Sequence, residues 1–126
     1  MPWERTIGYS RAARVGQHVH VSGTAPVMPD GADPPAEPYE QARRCLEIIL
    51  AALAEVGARA EDVVRTRIYL THADDIEAVG RAHGEVFGSV RPATTGVVVG
   101  LLDPRWLVEI EAEAIVPAAT TAPDGE

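Results

Sequence analysis

Three glutamates alternate near the end of the chain, Glu109, Glu111 and Glu113, in the segment VEIEAEAIV. A period of two puts all three on one face of a strand. A row of carboxylates is commonly a solvated strand face, and that reading suits Glu111 and Glu113. Glu109 stands apart, because it is nearest to Trp106 and to the Arg91–Thr95 lead-in of the preceding strand. A carboxylate among apolar neighbours resists ionisation, so its pKa rises and it can exchange protons near neutrality. The residues alone leave both uses of Glu109 open. His18-x-His20 offers two imidazoles on one strand face, but no third ligand follows in pattern and no metal site is expected. Cys45 lies beside an apolar helical stripe and reads as a small core residue, and His83 as a half-buried helical one. Phosphate-binding loops, dinucleotide glycine motifs, zinc-protease helices and nucleophile elbows are missing from the sequence.

The totals narrow the field further. At 126 residues the chain builds one domain with one core. Its net charge is −8 and every cation is arginine. Nucleic acid and anionic membranes are therefore disfavoured as partners, since both require clustered cations. Schiff-base chemistry through a lysine amine is impossible. A single cysteine builds no intrachain disulfide. No run approaches the ~18 apolar residues of a membrane span, and no secretory signal is visible, so a cytoplasmic protein is expected.

The elements that must position these residues follow from periodicity. Residues 5–15 hold a short strand, and Gly16-Gln17 turns into a second, His18–Ser22, with Val19 and Val21 facing away from His18, His20 and Ser22. Residues 26–38 carry five prolines and form a loop. Tyr39–Val56 is a predicted helix with Ala42, Leu46, Ile49, Leu53 and Val56 as its stripe, a Glu40–Arg44 pair, and Gly57 as its stop. Val63–Leu70 is a strand with Val64, Thr66, Ile68 and Leu70 on one face and Arg65, Arg67 and Tyr69 on the other. A helix from about Asp74 to Phe87 opens on a capping box, Asp74-x-x-Glu77, and buries Ile76, Val79, Ala82/His83 and Val86. Thr94–Leu101 reads as a strand buried on both faces, Leu102-Asp103-Pro104 as a turn, and Trp106–Val116 as the last strand.

The resulting order is β-β-α-β-α-β-β, an α+β domain with two helices on one face of a mixed sheet. The domain is expected over 1–117, with a flexible tail at 118–126. The uncovered sheet face is expected to carry Val63, Tyr69, Val98 and Ile115, too apolar for water. Burial against other copies in a closed homo-oligomer, with clefts between subunits, is the economical answer.

Four segments then carry a resemblance: GYSRA (8–12), VSGTAP (21–26), RPATT (91–95) and VEIEAEAIV (108–116). Together with the element order they resemble the RidA, or YjgF-like, family of reactive-intermediate deaminases, whose fold is of the chorismate-mutase type. The resemblance spans about residues 6–116. It implies a homotrimer with pockets at subunit interfaces and hydrolysis of reactive enamines and imines to ketones and ammonia without a cofactor. It assigns Glu109 to the attacking water, and Tyr9, Ser22 and Gly23 to the pocket. The active branch clamps the substrate carboxylate with an arginine where this chain has Thr94. Thr94, Thr95 and Gly96 would line the space left, with Trp106 and Arg11 nearby. The chain thus resembles a branch lacking the clamp, and amino-acid-derived imines are disfavoured as substrates unless Arg11, Arg67 or Arg91 reaches in. A non-catalytic small-molecule-binding or regulatory trimer, and a tailoring enzyme of specialised metabolism, are the alternatives. Ribonuclease activity, a label the family sometimes carries, is disfavoured by the charge.

Overall fold

The computed structural model describes residues 3–118, so most of the tail expected at 118–126 lies outside the described residues. Five strands and two helices appear in the expected order: β1 (Ala12–Val15), β2 (His18–Thr24), α1 (Pro38–Glu55), β3 (Val63–Leu70), α2 (Ile76–Phe87), β4 (Ala93–Val98) and β5 (Val108–Ile115). They form one mixed sheet ordered β1-β2-β5-β3-β4, in which only β3 and β4 run parallel. Residues 5–15 divide: Glu4–Gly8 makes a π-helical turn closed by Tyr9 N–H to Glu4 O, and the strand begins only at Ala12.

The core lies between the helices and one sheet face. Val19, Val21, Ile68, Leu70, Val108 and Ile110 meet Ala42, Cys45, Leu46, Ile49 and Leu53 of α1 and Val79, Ala82 and Phe87 of α2. Each apolar side chain so buried contributes roughly 1.5–3 kcal/mol. Cys45 is a core residue, and burial pushes its thiol pKa up, which keeps it unreactive. The α1 helix ends as its glycine predicts. Gly57 sits at φ +79°, and the amides of Gly57 and Ala58 return to Ala54 O and Leu53 O, the paired bonds of a left-handed cap.

Local expectations fail where tertiary contacts compete. A bulge between Val63 and Arg65 rotates the start of β3, so Val63 enters the core and Val64 turns outward. Asp74 makes no cap bond, because a 3-10 turn (Ala73–Asp75) precedes α2, and Ile76 remains exposed. Arg44 pairs with Glu47 and Val27 O rather than Glu40. The strand expected to be buried on both faces is the sheet edge, and Ala93–Val98 are all exposed in the single chain. The last strand starts at Val108, since Trp106 and Leu107 complete the preceding turn. Gln41, a polar residue within the α1 stripe, is buried. It bonds Pro35 O, Arg105 O and Leu107 N–H, tying the proline loop and the β4–β5 turn to the helix.

Candidate functional site

Register decides which carboxylates of β5 are engaged with β3. Glu109, Glu111 and Glu113 lie opposite Tyr69, Arg67 and Arg65 of β3 on the face away from the helices. Glu111 accepts hydrogen bonds from Tyr69 Oη at 2.5 Å and Arg67 Nη1 at 3.2 Å, and Glu113 accepts from the same Nη1 at 3.0 Å. Those two carboxylates and Arg67 are therefore engaged with one another. Glu109 receives no hydrogen bond from any described residue. It is half-buried, and desolvation raises its pKa above the ordinary value, against the attraction of Arg11 and with the repulsion of Glu111.

A cavity of about 330 Å³ opens at this carboxylate. Glu109, Tyr9, Arg11, Ser22, Gly23 and Trp106 line it together. Gly23 is required by close approach: a Cβ there would collide with Glu109 Oε2. The bulge in β2 between Val21 and Thr24 produces that approach. Ser22 Oγ donates to Ser10 O at 2.6 Å, which leaves its oxygen able to accept. Arg11 is held by Nη1 bonds to Gly23 O and Thr24 Oγ1, both 3.1 Å, and its guanidinium lies 5.3 Å from the Tyr9 ring centroid. Arg11 and Glu109 share the cavity without forming an ion pair.

Apart from Thr24 the remaining wall is apolar, and it was not foreseen. Trp3 and Ile7 come from the N-terminal turn, Val27 from the proline loop, Ile48 from α1 and Leu102 from the β4–β5 turn. Trp3 stands edge-on to Trp106 at 6.3 Å. No periodicity signals these positions, because each belongs to a different element and only the fold brings them together.

Thr94, Thr95 and Gly96 do not join this cavity within one chain. Expecting Glu109 beside the Arg91–Thr95 lead-in overlooked β3, which lies between β4 and β5. Thr94 faces the helices: its hydroxyl lies 2.8 Å from Thr66 Oγ1, which lies 2.8 Å from His83 Nε2. Thr95 receives a bond from Arg65 Nη2. Arg91, at φ +59°, is exposed and outside the cavity. Of the three arginines considered as substitutes for the clamp, Arg11 alone lines it. Among the described residues no cluster of three or more His, Cys, Asp or Glu is arranged to hold a metal, and no helix is long and apolar enough to cross a membrane.

The fold and cavity define an α+β domain with a carboxylate that no described residue hydrogen-bonds in a small-molecule-sized pocket. The chain belongs to the RidA/YjgF family of reactive-intermediate deaminases: the family model described as Endoribonuclease L-PSP matches residues 4–116. An uncharacterised protein of Streptomyces coelicolor is 46% identical over 114 residues, 90% of this chain and 85% of its own length. A RutC family protein of Pyrococcus abyssi is 36% identical over 107 residues, 84% of each chain. Among solved structures, Rv2704 of Mycobacterium tuberculosis, a YjgF/YER057c/UK114 family member, is 42% identical with a TM-score of 0.84, covering 92% of this chain and 93% of that one. Escherichia coli TdcF with bound serine is 27% identical with a TM-score of 0.80, covering 86% and 88%.

Proposed function

We propose that this protein hydrolyses a small reactive imine or enamine to a carbonyl compound and ammonia, without a cofactor, as a homotrimer. One observation carries the reading: Glu109 is a half-buried carboxylate with no hydrogen-bond partner among the described residues, raised in pKa, at the wall of a cavity of about 330 Å³. Its two strand neighbours of the same type are both engaged, so availability singles it out. The relative TdcF, which carries the name of a reactive intermediate deaminase, supports the same chemistry.

In this reading Glu109 takes a proton from water as the water oxygen adds to the carbon of the protonated imine, giving a carbinolamine. It returns that proton to nitrogen and then accepts the proton of the carbinolamine hydroxyl, so that the carbonyl forms as the carbon–nitrogen bond breaks and ammonia leaves. An enamine first takes a proton on carbon to become the imine. Ser22 and Tyr9 orient polar substrate atoms, and Gly23 leaves room for the carboxylate. Thr94, Thr95 and Gly96 serve only if a neighbouring subunit brings its edge strand to the cavity. The exposed edge, with Val97, Val98 and Val99, favours such assembly.

The test is ammonia release from imines generated in the assay. Glu109→Gln in a folded protein should lower the rate about 10²- to 10⁴-fold, the usual contribution of a general acid–base group; undiminished release would remove the reading. A non-catalytic ligand-binding trimer is the second reading. It is favoured by Thr94 standing at the clamp position with its hydroxyl committed to Thr66 and Pro92 O. A ligand that raises the melting temperature without being converted would select it.

A further inference from the structure

Arg11 presents an unusual hydrogen-bond ledger. Nη1 is saturated by Gly23 O and Thr24 Oγ1. Nε is buried and makes no hydrogen bond, and none joins Nη2 to any described residue. The Nε–Nη2 edge of a guanidinium is the side that takes a carboxylate in two parallel bonds. A buried donor left unsatisfied calls for a partner. The nearest acid is Glu4, whose Oε2 lies 3.3 Å from Nε, within ion-pair distance but outside hydrogen-bond geometry. A carboxylate of the chain itself therefore already stands at this edge, imperfectly placed.

Glu4 sits on a segment suited to moving. The Glu4–Gly8 turn buries none of its residues. It joins β1 through Gly8 at φ +89°, with nothing within 4 Å of where a side chain would begin. Trp3 and Ile7 on the same segment form part of the cavity wall, so displacing Glu4 also opens the cavity. The same wall carries apolar side chains, Val27, Ile48 and Trp106, alongside Arg11 and Glu109.

We propose that Arg11 is a carboxylate receptor, that Glu4 holds its Nε–Nη2 edge as an internal stand-in, and that a carboxylate-bearing ligand with an apolar side chain displaces it. The inference deepens the hydrolase reading, on which its placing of the reactive carbon beside Glu109 rests. The ligand class it names is a carboxylate carried beside a branched or aromatic apolar group. The N-terminal turn closes over the bound molecule or leaves it.

The test is calorimetric titration of the full-length protein with α-ketoisocaproate and with the neutral methyl isobutyl ketone. Wild type should bind the oxo acid about 10-fold or more tightly than the ketone. Arg11→Gln should abolish the difference, and Arg11→Lys should keep part of it, with circular dichroism confirming that both variants fold. Glu4→Gln should tighten oxo-acid binding about 2- to 5-fold, the scale of a partly exposed ion pair. Equal or absent binding of the two ligands by wild type, or unchanged oxo-acid affinity in Arg11→Gln, overturns the receptor; no tightening in Glu4→Gln overturns the stand-in. Ammonia release separates this from the hydrolase reading. A carboxylate preference without release keeps the receptor and removes the hydrolase. Release from carboxylate-free imines that Arg11→Gln leaves undiminished does the reverse.

Discussion

Glu109 links the proposed chemistry to stability, because a half-buried carboxylate with no hydrogen-bond partner among the described residues disfavours its own charge. Its folded pKa is raised above the ordinary 4.5. Its contribution to stability is thus fully present below that value and lost as pH rises through the folded pKa. Glu109→Gln removes the charge at constant shape. The variant should melt at a higher temperature than wild type at pH about 7–8 and lose that advantage as pH falls toward about 4; thermal melts across pH would show it, and a constant difference would contradict the desolvation argument. Gly23 is the complementary handle. A methyl at position 23 meets only the far end of the Glu109 side chain, so Gly23→Ala should fold while displacing the carboxylate. The expected loss is about 10²-fold in kcat/KM with little change in melting temperature, since a misplacement of about 1 Å has that effect.

At the scale of elements, the hydroxyl–imidazole chain joining β3, β4 and α2 replaces what apolar packing does elsewhere. Thr66 is fully buried and lies 2.8 Å from both Thr94 Oγ1 and His83 Nε2. Thr66→Val keeps the shape and leaves two polar groups without that partner, for a loss of about 1–3 kcal/mol by denaturant titration. Burial lowers the pKa of His83 below 6.5. The neutral ring is therefore the folded form, and its contribution is intact above pH 6.5 and lost as pH falls through the lowered value. Replacing His83 with Gln should flatten that acid-side decline in a stability–pH series. The reading of His83 as a tolerated half-buried residue agrees with this role, although its partners were not visible in the helical pattern.

For the whole molecule, the helices leave one sheet face uncovered, and the sheet ends in edge strands β1 and β4. That face carries the Arg67–Glu111–Glu113–Tyr69 network. Val97 lies on the same face, opposite Tyr69 in register, and is 40% exposed on the edge strand. Apolar groups set among paired charges suit contact with another copy better than with water. Sedimentation at three times the chain mass is the expected result, and Val97→Asp should shift the protein toward the monomer by introducing an unpaired charge into that contact. Wild type sedimenting as a monomer would remove the trimer and, with it, any place for Thr94–Gly96 at the site.

The element order, the α1 stripe, the Gly57 stop and the segments shared with the family were legible in the sequence, because each depends on local spacing or backbone conformation. Tyr9, Ser22, Gly23 and Glu109, which those segments carry, line one cavity. Strand order was not legible. Glu109 and Thr94 are near in sequence, yet β3 inserts between their strands, and nothing in the spacing of either strand encodes that insertion. The bulges at Val63 and Ser22-Gly23 likewise arise from pairing, and they decide which side chains face the core and which face the cavity. Sequence spacing determined which residues share an element; tertiary pairing alone decided that Glu109 has no hydrogen-bond partner among the described residues and that Arg11, not Thr94, shares its pocket.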